Sequence, residues 1–169
     1  SSRCLVRIKD IHHPEIESVN RGRFAIIADE LSDRLGQVAD TSIAVCVMVL
    51  EAFGTRMANA SNRDTVATWI LNAFKFSGIT DVKLDSFLVS DKWQKNVVAT
   101  IPGKVSEEME LIVGAHYDSQ SWDPLHAPGA DDNASGTAAV LEMARVITKS
   151  GYQPRSTVRF IAFGAEELG

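Results

Sequence analysis

The stretch "GADDNASGTAAVLE", Gly129 to Glu142, admits two architectures. Counted from Asp131, it has Asp, Asn, Ser and Gly at positions one, three, five and six and a Glu at twelve, close to the calcium loop of an EF-hand. Read with its flanks, the same stretch is a loop and helix joining two strands, with Asp131 as one ligand of a hydrolytic metal centre. An EF-hand needs a helix leading into its loop, whereas "SQSWDPLHAPGA" (Ser119 to Ala130) holds Pro124, Pro128 and Gly129, which suit no entering helix. Glu142 reads more simply as the solvent-facing residue of a helix whose Val140 and Leu141 are buried. A calcium-binding loop module is therefore kept as the remote alternative.

The flanks carry a strand period. "VKLDSFLV" alternates through Val82, Leu84 and Ser86, and "NVVATI", "MELIVGAH" and "STVRFIAFGA" are short β-rich runs bounded by turn residues. Between the last two runs, Val140, Leu141, Ala144 and Ile147 have helical spacing. Strand, long loop, helix, strand is a crossover unit, so the last two strands are expected to be parallel in one sheet. The fold class is α/β, with a mixed, mostly parallel central sheet flanked by helices.

Upstream the period is helical. Phe24, Ile27, Leu31 and Leu35 predict a helix over about 21–36, and Val66, Trp69, Ile70, Ala73 and Phe74 predict another, with Asn62 as candidate N-cap and Gly78 as candidate stop. The apolar run "IAVCVMVL" (Ile43 to Leu50) suits a buried strand or a short buried helix equally, and falls short of the ~20 residues that cross a bilayer. Residues 1–40 form an N-terminal segment with one helix and no assignable family; 41–169 form the domain that carries the chemistry.

Composition narrows the partners. A net charge of -5 without a Lys/Arg cluster leaves no electrostatic footprint for nucleic acid or an anionic membrane. Cys4 and Cys46 make neither a disulfide framework nor a thiolate metal site. Residues 1–20 show no signal-peptide pattern. Oligomeric state is not readable.

Three elements carry chemistry, each with an ordinary alternative. In "LIVGAHYDS", His116 ends its strand and Asp118 lies two residues on, so both can share a face; this is the carboxylate–imidazole arrangement that orients a metal-binding nitrogen, or a surface pair. In "PGADDNASG", Asp131 and Asp132 concentrate negative charge that a cation would relieve, or one of them caps the helix. In "FGAEELG", Glu166 and Glu167 end a β-run pointing in different directions, so one can hold a metal while the other faces a water, or both begin a helix.

Taken together with "FGTR" (Phe53 to Arg56), the three motifs resemble, from about residue 50 onward, the amino-terminal half of the co-catalytic di-zinc aminopeptidases of the bacterial leucyl aminopeptidase type. The resemblance implies a zinc-exopeptidase-like sheet, truncated here, and a helix for 43–50. It implies that His116 binds one zinc, Asp131 bridges two, Glu167 binds the other, Glu166 is the general base and Asp118 orients His116. The peptide bond after Asp131 is expected to be cis. The implied substrate is a peptide shortened from its N-terminus, in a secreted or periplasmic setting. The family completes its site with an Asp and a His farther along, and neither lies within the 169 residues; His12, His13 and His126 have no spacing that replaces them. The isolated chain is thus expected to bind zinc weakly, to lack peptidase activity and to carry an unpaired sheet edge. A non-catalytic relative, or a single-zinc one like the glutaminyl cyclases, is the alternative.

Overall fold

Two helices of apolar period precede a run of strands, and the chain builds a sheet with helices laid on it. In a computed structural model, residues 7–9, 17–19 and 28–169 are described. Contacts divide the chain at Gly36/Gln37 into two units. The first holds the antiparallel pair β1 (Arg7–Lys9) and β2 (Glu17–Val19) and the helix α1 (Ala28–Leu35). The helix expected over 21–36 is present in its described part; residues 21–27 and Cys4 lie outside the described residues.

The second unit runs α2 (Asp40–Ala52), α3 (Arg63–Phe76), β3 (Asp81–Val89), β4 (Lys92–Ile101), β5 (Ser106–His116), α4 (Ser135–Lys149) and β6 (Ser156–Phe163). The run 43–50 is helical, as the resemblance implied. All four expected strands form one sheet in the order β3-β4-β6-β5. β3, β4 and β6 pair antiparallel, whereas β5 and β6, joined through α4, are parallel and in register from Glu110↔Thr157 to His116↔Phe163. The crossover reading holds, with more antiparallel pairing than "mostly parallel" anticipated.

The core lies between sheet and helices. Val66, Ile70 and Phe74 from α3 and Val140, Leu141 and Ala144 from α4 pack against Val97, Ala99, Val158, Phe160 and Ala162, all buried. Apolar burial of this kind is the main stabilising term of a domain. Ser86 is exposed while Phe87 and Val89 are half-buried, so the alternation read along β3 changes phase in its second half. β3 and β5 are the edges of this sheet, and Met109, Leu111 and Ile112 of β5 are exposed. No described helix is long and apolar enough to cross a membrane.

Two local expectations are corrected. Asn62 stands at the N-cap of α3 but makes no cap bond; its Nδ2 donates to the carbonyls of Phe53 and Thr55 at 3.2 and 2.9 Å. Glu142 does not face solvent: it is 5% exposed. Its Oε1 accepts the Ala39 N–H at 2.7 Å, at the start of α2, and its carboxylate accepts Arg145 Nε and Nη2 at 2.7 and 2.6 Å. With Glu142 committed there, and residues 119–129 without a helix, the calcium-loop reading has neither its entering helix nor its last ligand.

The Arg145 hydrogen bonds, chiefly, hold the Glu142 carboxyl below its ordinary range. A depressed folded-state value means the contribution to stability is present above the ordinary carboxylate range and is lost as pH falls through the folded value. Glu142→Ala is expected to cost about 1.5–3 kcal/mol at neutral pH. Urea denaturation of both chains should show the gap closing as the pH is lowered.

Candidate metal centre

Strand alternation sets up the site. At the end of β5, Tyr117 turns into the core, its N–H bonded to the Phe163 carbonyl at 2.8 Å and its hydroxyl to the Lys95 carbonyl at 2.8 Å. Burial pushes that hydroxyl's pKa up. His116 and Asp118, on either side of Tyr117, therefore project the other way, as expected for residues two apart. Thr137, in the first turn of α4, donates to the His116 carbonyl at 2.9 Å and ties the helix start to the strand end.

Asp118 is 1% exposed, and its two oxygens accept the backbone N–H groups of Glu166 and Glu167, each at 3.1 Å. Its backbone oxygen lies 3.2 Å from His116 Nδ1, nearer than its carboxylate at 3.6 Å. The side chain thus positions the turn after β6, and the backbone carbonyl is the closer partner of the imidazole. Burial raises the Asp118 pKa, against the two amide hydrogen bonds and the His116 charge, which lower it.

Glu166 and Glu167 open a single 3-10 turn, Glu166–Leu168, directly after β6. Donor atoms of His116, Glu166 and Glu167 all lie within 4.8 Å of one another. Glu167 is pushed up, first by burial and then by the charges of Asp132 and Asp118, with Glu166 adding to them. Carboxylates crowded in this way favour a cation among them.

The loop before α4 sets its two aspartates differently. The carboxylate at His116 belongs to Asp132, with Oδ1 3.1 Å from Nε2; Glu166 Oε2 is 3.8 Å from the same nitrogen. Asp131 is exposed, and its backbone oxygen accepts the Ser135 hydroxyl at 2.8 Å. The cis peptide bond likewise lies one residue later than expected, at Asp132–Asn133. Asp132 and Asn133 depart from helical geometry (φ -119°, ψ 94° and φ -135°, ψ 46°), and this turn aims the second aspartate rather than the first at the imidazole. The capping side chain is that of Asn133, whose Oδ1 accepts the Gly136 N–H at 2.9 Å. A Cβ at Gly136 would stand 2.2 Å from that oxygen, so the loop needs glycine there.

One further residue stands behind the site. Arg56, quoted above only for its resemblance, is 1% exposed and donates to the carbonyls of Leu50, Tyr117, Pro128 and Gly129. A charged residue just after an apolar helix was the available signal, but its partners are backbone atoms that no residue pattern marks. Elsewhere, an apolar cavity of about 510 Å³ lined by Val45, Cys46, Trp69, Phe76 and Leu141 lies among α2, α3 and α4 and includes none of these donors.

The sheet and its crossover superpose on a Zn-dependent exopeptidase of Parabacteroides distasonis with a TM-score of 0.64 at 25% identity, over 77% of this chain and 48% of that one. Residues 96–169, which hold all three motifs, match the sequence model of Peptidase family M28. The chain is 32% identical over 165 residues to a probable zinc metalloprotease of Pyrenophora tritici-repentis, covering 83% of this chain and 38% of that protein. It is 34% identical over 166 residues to a probable leucine aminopeptidase of Arthroderma otae, covering 92% and 44%. Among solved structures, LapB from Legionella pneumophila superposes with a TM-score of 0.71 at 31% identity, over 85% of this chain and 39% of that one. A glutaminyl cyclase of Tannerella forsythia, at TM-score 0.63 and 23% identity over 77% of this chain and 48% of that one, shares the fold. The chain thus spans less than half the length of each. The resemblance to zinc aminopeptidases is borne out over the part of the chain that carries the motifs.

Asp118→Ala removes both acceptors from the Glu166 and Glu167 amides and is expected to cost about 1.5–3 kcal/mol. Urea denaturation of the metal-free chain measures it, and an unchanged midpoint would show that the turn stands without Asp118.

Proposed function

We propose that this chain carries the metal-holding part of a zinc-dependent exopeptidase that shortens peptides from their N-terminus, with His116, Asp132 and Glu167 as ligands and Glu166 as general base. The observation that carries the reading is the convergence of donors from three separate segments at the ends of β5 and β6, within 4.8 Å for His116, Glu166 and Glu167 and with Asp132 3.1 Å from His116. One imidazole nitrogen and several carboxylate oxygens are a donor set that suits zinc. The bridging part that the resemblance assigned to Asp131 passes to Asp132, where a second ion would also be held.

When bound, zinc supplies a Lewis acid. The chain's own residues do the rest. The Asp118 carbonyl at His116 Nδ1 keeps Nε2 turned toward the carboxylates. The Asp118 carboxylate fixes the backbone beneath Glu166 and Glu167, so that the exposed Glu166 is left to take a proton at Oε2 from the attacking water and return it to the leaving amine. A single-zinc relative is the second reading, favoured by the tight group of three donors, which suits one four-coordinate ion with an open position.

Calorimetry with zinc tests the metal reading: two ions per chain support the paired centre, and no measurable uptake refutes both readings. Asp132→Ala is expected to weaken zinc binding about tenfold or more, and Asp131→Ala to leave it within about twofold; equal losses would refute the assignment to Asp132. The 169-residue chain by itself offers three of the five expected ligands and is predicted to bind zinc weakly and to hydrolyse no aminoacyl-anilide. Hydrolysis that Glu166→Gln abolishes would sink that prediction.

A further inference from the structure

Two of the three donor-bearing segments are the end of β5, with His116, and the turn before α4, with Asp132. Behind both lies Arg56. Its Nε donates to the Tyr117 carbonyl at 2.9 Å, between His116 and Asp118 in sequence. Its Nη2 donates to the Gly129 carbonyl at 2.9 Å, and its Nη1 to the Pro128 carbonyl and, at 3.0 Å, to the Leu50 carbonyl in the last turn of α2.

The Gly129 carbonyl also accepts the Ala134 N–H at 3.0 Å and so closes the turn that contains Asp132. Next to Arg56, Ser119 repeats the pattern. Its hydroxyl accepts the Arg56 N–H at 3.1 Å and donates to the Ala127 carbonyl at 2.6 Å. Gly129, at φ +49°, fits because it lacks a Cβ, which would meet Asp132 O at 2.5 Å, Ser119 Cβ at 2.7 Å and Arg56 Nη2 at 3.1 Å. The Arg56 fork is thus packed against the strand end that carries His116 and the loop that leads to Asp132, and its hydrogen-bond partners are backbone carbonyls.

From this geometry we infer that Arg56 is a positioning residue for the metal centre: its planar fork fixes the turn carrying Asp132 relative to the strand end carrying His116 and Asp118. The inference rests on the metal-site reading above and adds to it the means by which the two segments are held before a metal arrives. The planarity of the fork is essential. A lysine keeps the charge but has one nitrogen and no in-plane spread of donors, so it cannot serve carbonyls on three segments together. Partners of this kind commonly change metal affinity by about 10- to 100-fold.

The test compares wild type, Arg56→Lys and a core control, Phe74→Leu, in the 169-residue chain. Zinc affinity is measured by competition with a chromogenic chelator, and hydrogen exchange is followed at the Ala134 amide. Arg56→Lys is expected to weaken zinc binding about tenfold or more and to speed exchange at Ala134, whereas Phe74→Leu leaves zinc affinity within about twofold despite lower stability. Arg56→Lys with wild-type affinity and unchanged Ala134 exchange overturns the inference and leaves Arg56 a structural staple. Should that variant not fold, the wild type decides alone: the Arg56 guanidinium nitrogen resonances shift on zinc addition if the fork is coupled to the ligands, and resonances indifferent to zinc overturn it. If wild type, Asp132→Ala and Glu167→Gln all take up zinc equally, the metal-site reading is what fails, and Ala134 exchange in Arg56→Lys still decides whether Arg56 holds the turn.

Discussion

A carboxylate that is 1% exposed, Asp118, joins the two strand ends on which the site is built. Removing a carboxylate from water is costly unless hydrogen bonds replace the lost solvation, and here two backbone amides do so. That solution exists because β5 and β6 are parallel and end together, with His116 opposite Phe163. An antiparallel pair would put the two carboxyl ends at opposite ends of the strands. The α4 crossover, the inward turn of Tyr117 and the 3-10 turn of the glutamates all serve the same meeting of chain segments.

The charge balance around that carboxylate explains the composition of the site. Asp118, Asp132, Glu166 and Glu167 gather around a single histidine, and the buried cation Arg56 lies behind the backbone, where it bonds carbonyls instead of neutralising any one carboxylate. Burial lowers the Arg56 pKa, while the charges of Asp118 and Glu51 raise it. Positive charge behind the site and unneutralised negative charge in front leave the open side suited to a divalent cation.

Much of this was legible in the residues. Periodicity found α3, α4 and the four strands of the sheet, because amphipathic burial is what periodicity records. The motifs placed His116, Glu166 and Glu167 correctly at strand ends. The choice between Asp131 and Asp132 was not legible, since it turns on backbone angles within one tight loop, where adjacent identical side chains give no periodic signal. Glu142 was misread for a related reason: charged residues on helices usually face water, and its partners, Ala39 N–H and Arg145, include a backbone amide 103 residues away. Arg56 escaped because carbonyl acceptors have no letter in the sequence. Polar residues committed to long-range backbone partners are where pattern reading fails.

The Glu142 contact bears on where this protein can be cut. Arg145 Nη2 also donates to the Gln37 carbonyl at 2.5 Å, so Glu142 and Arg145 together grip residues 37–39, immediately after the boundary between the two units. A recombinant second unit begun at Gln37 keeps that grip, whereas one begun at Asp40 exposes the start of α2 and leaves the Glu142 carboxylate buried beside Arg145 alone. The first three residues after the boundary therefore serve as a clasp for the helix layer, although their own side chains carry no sign of it.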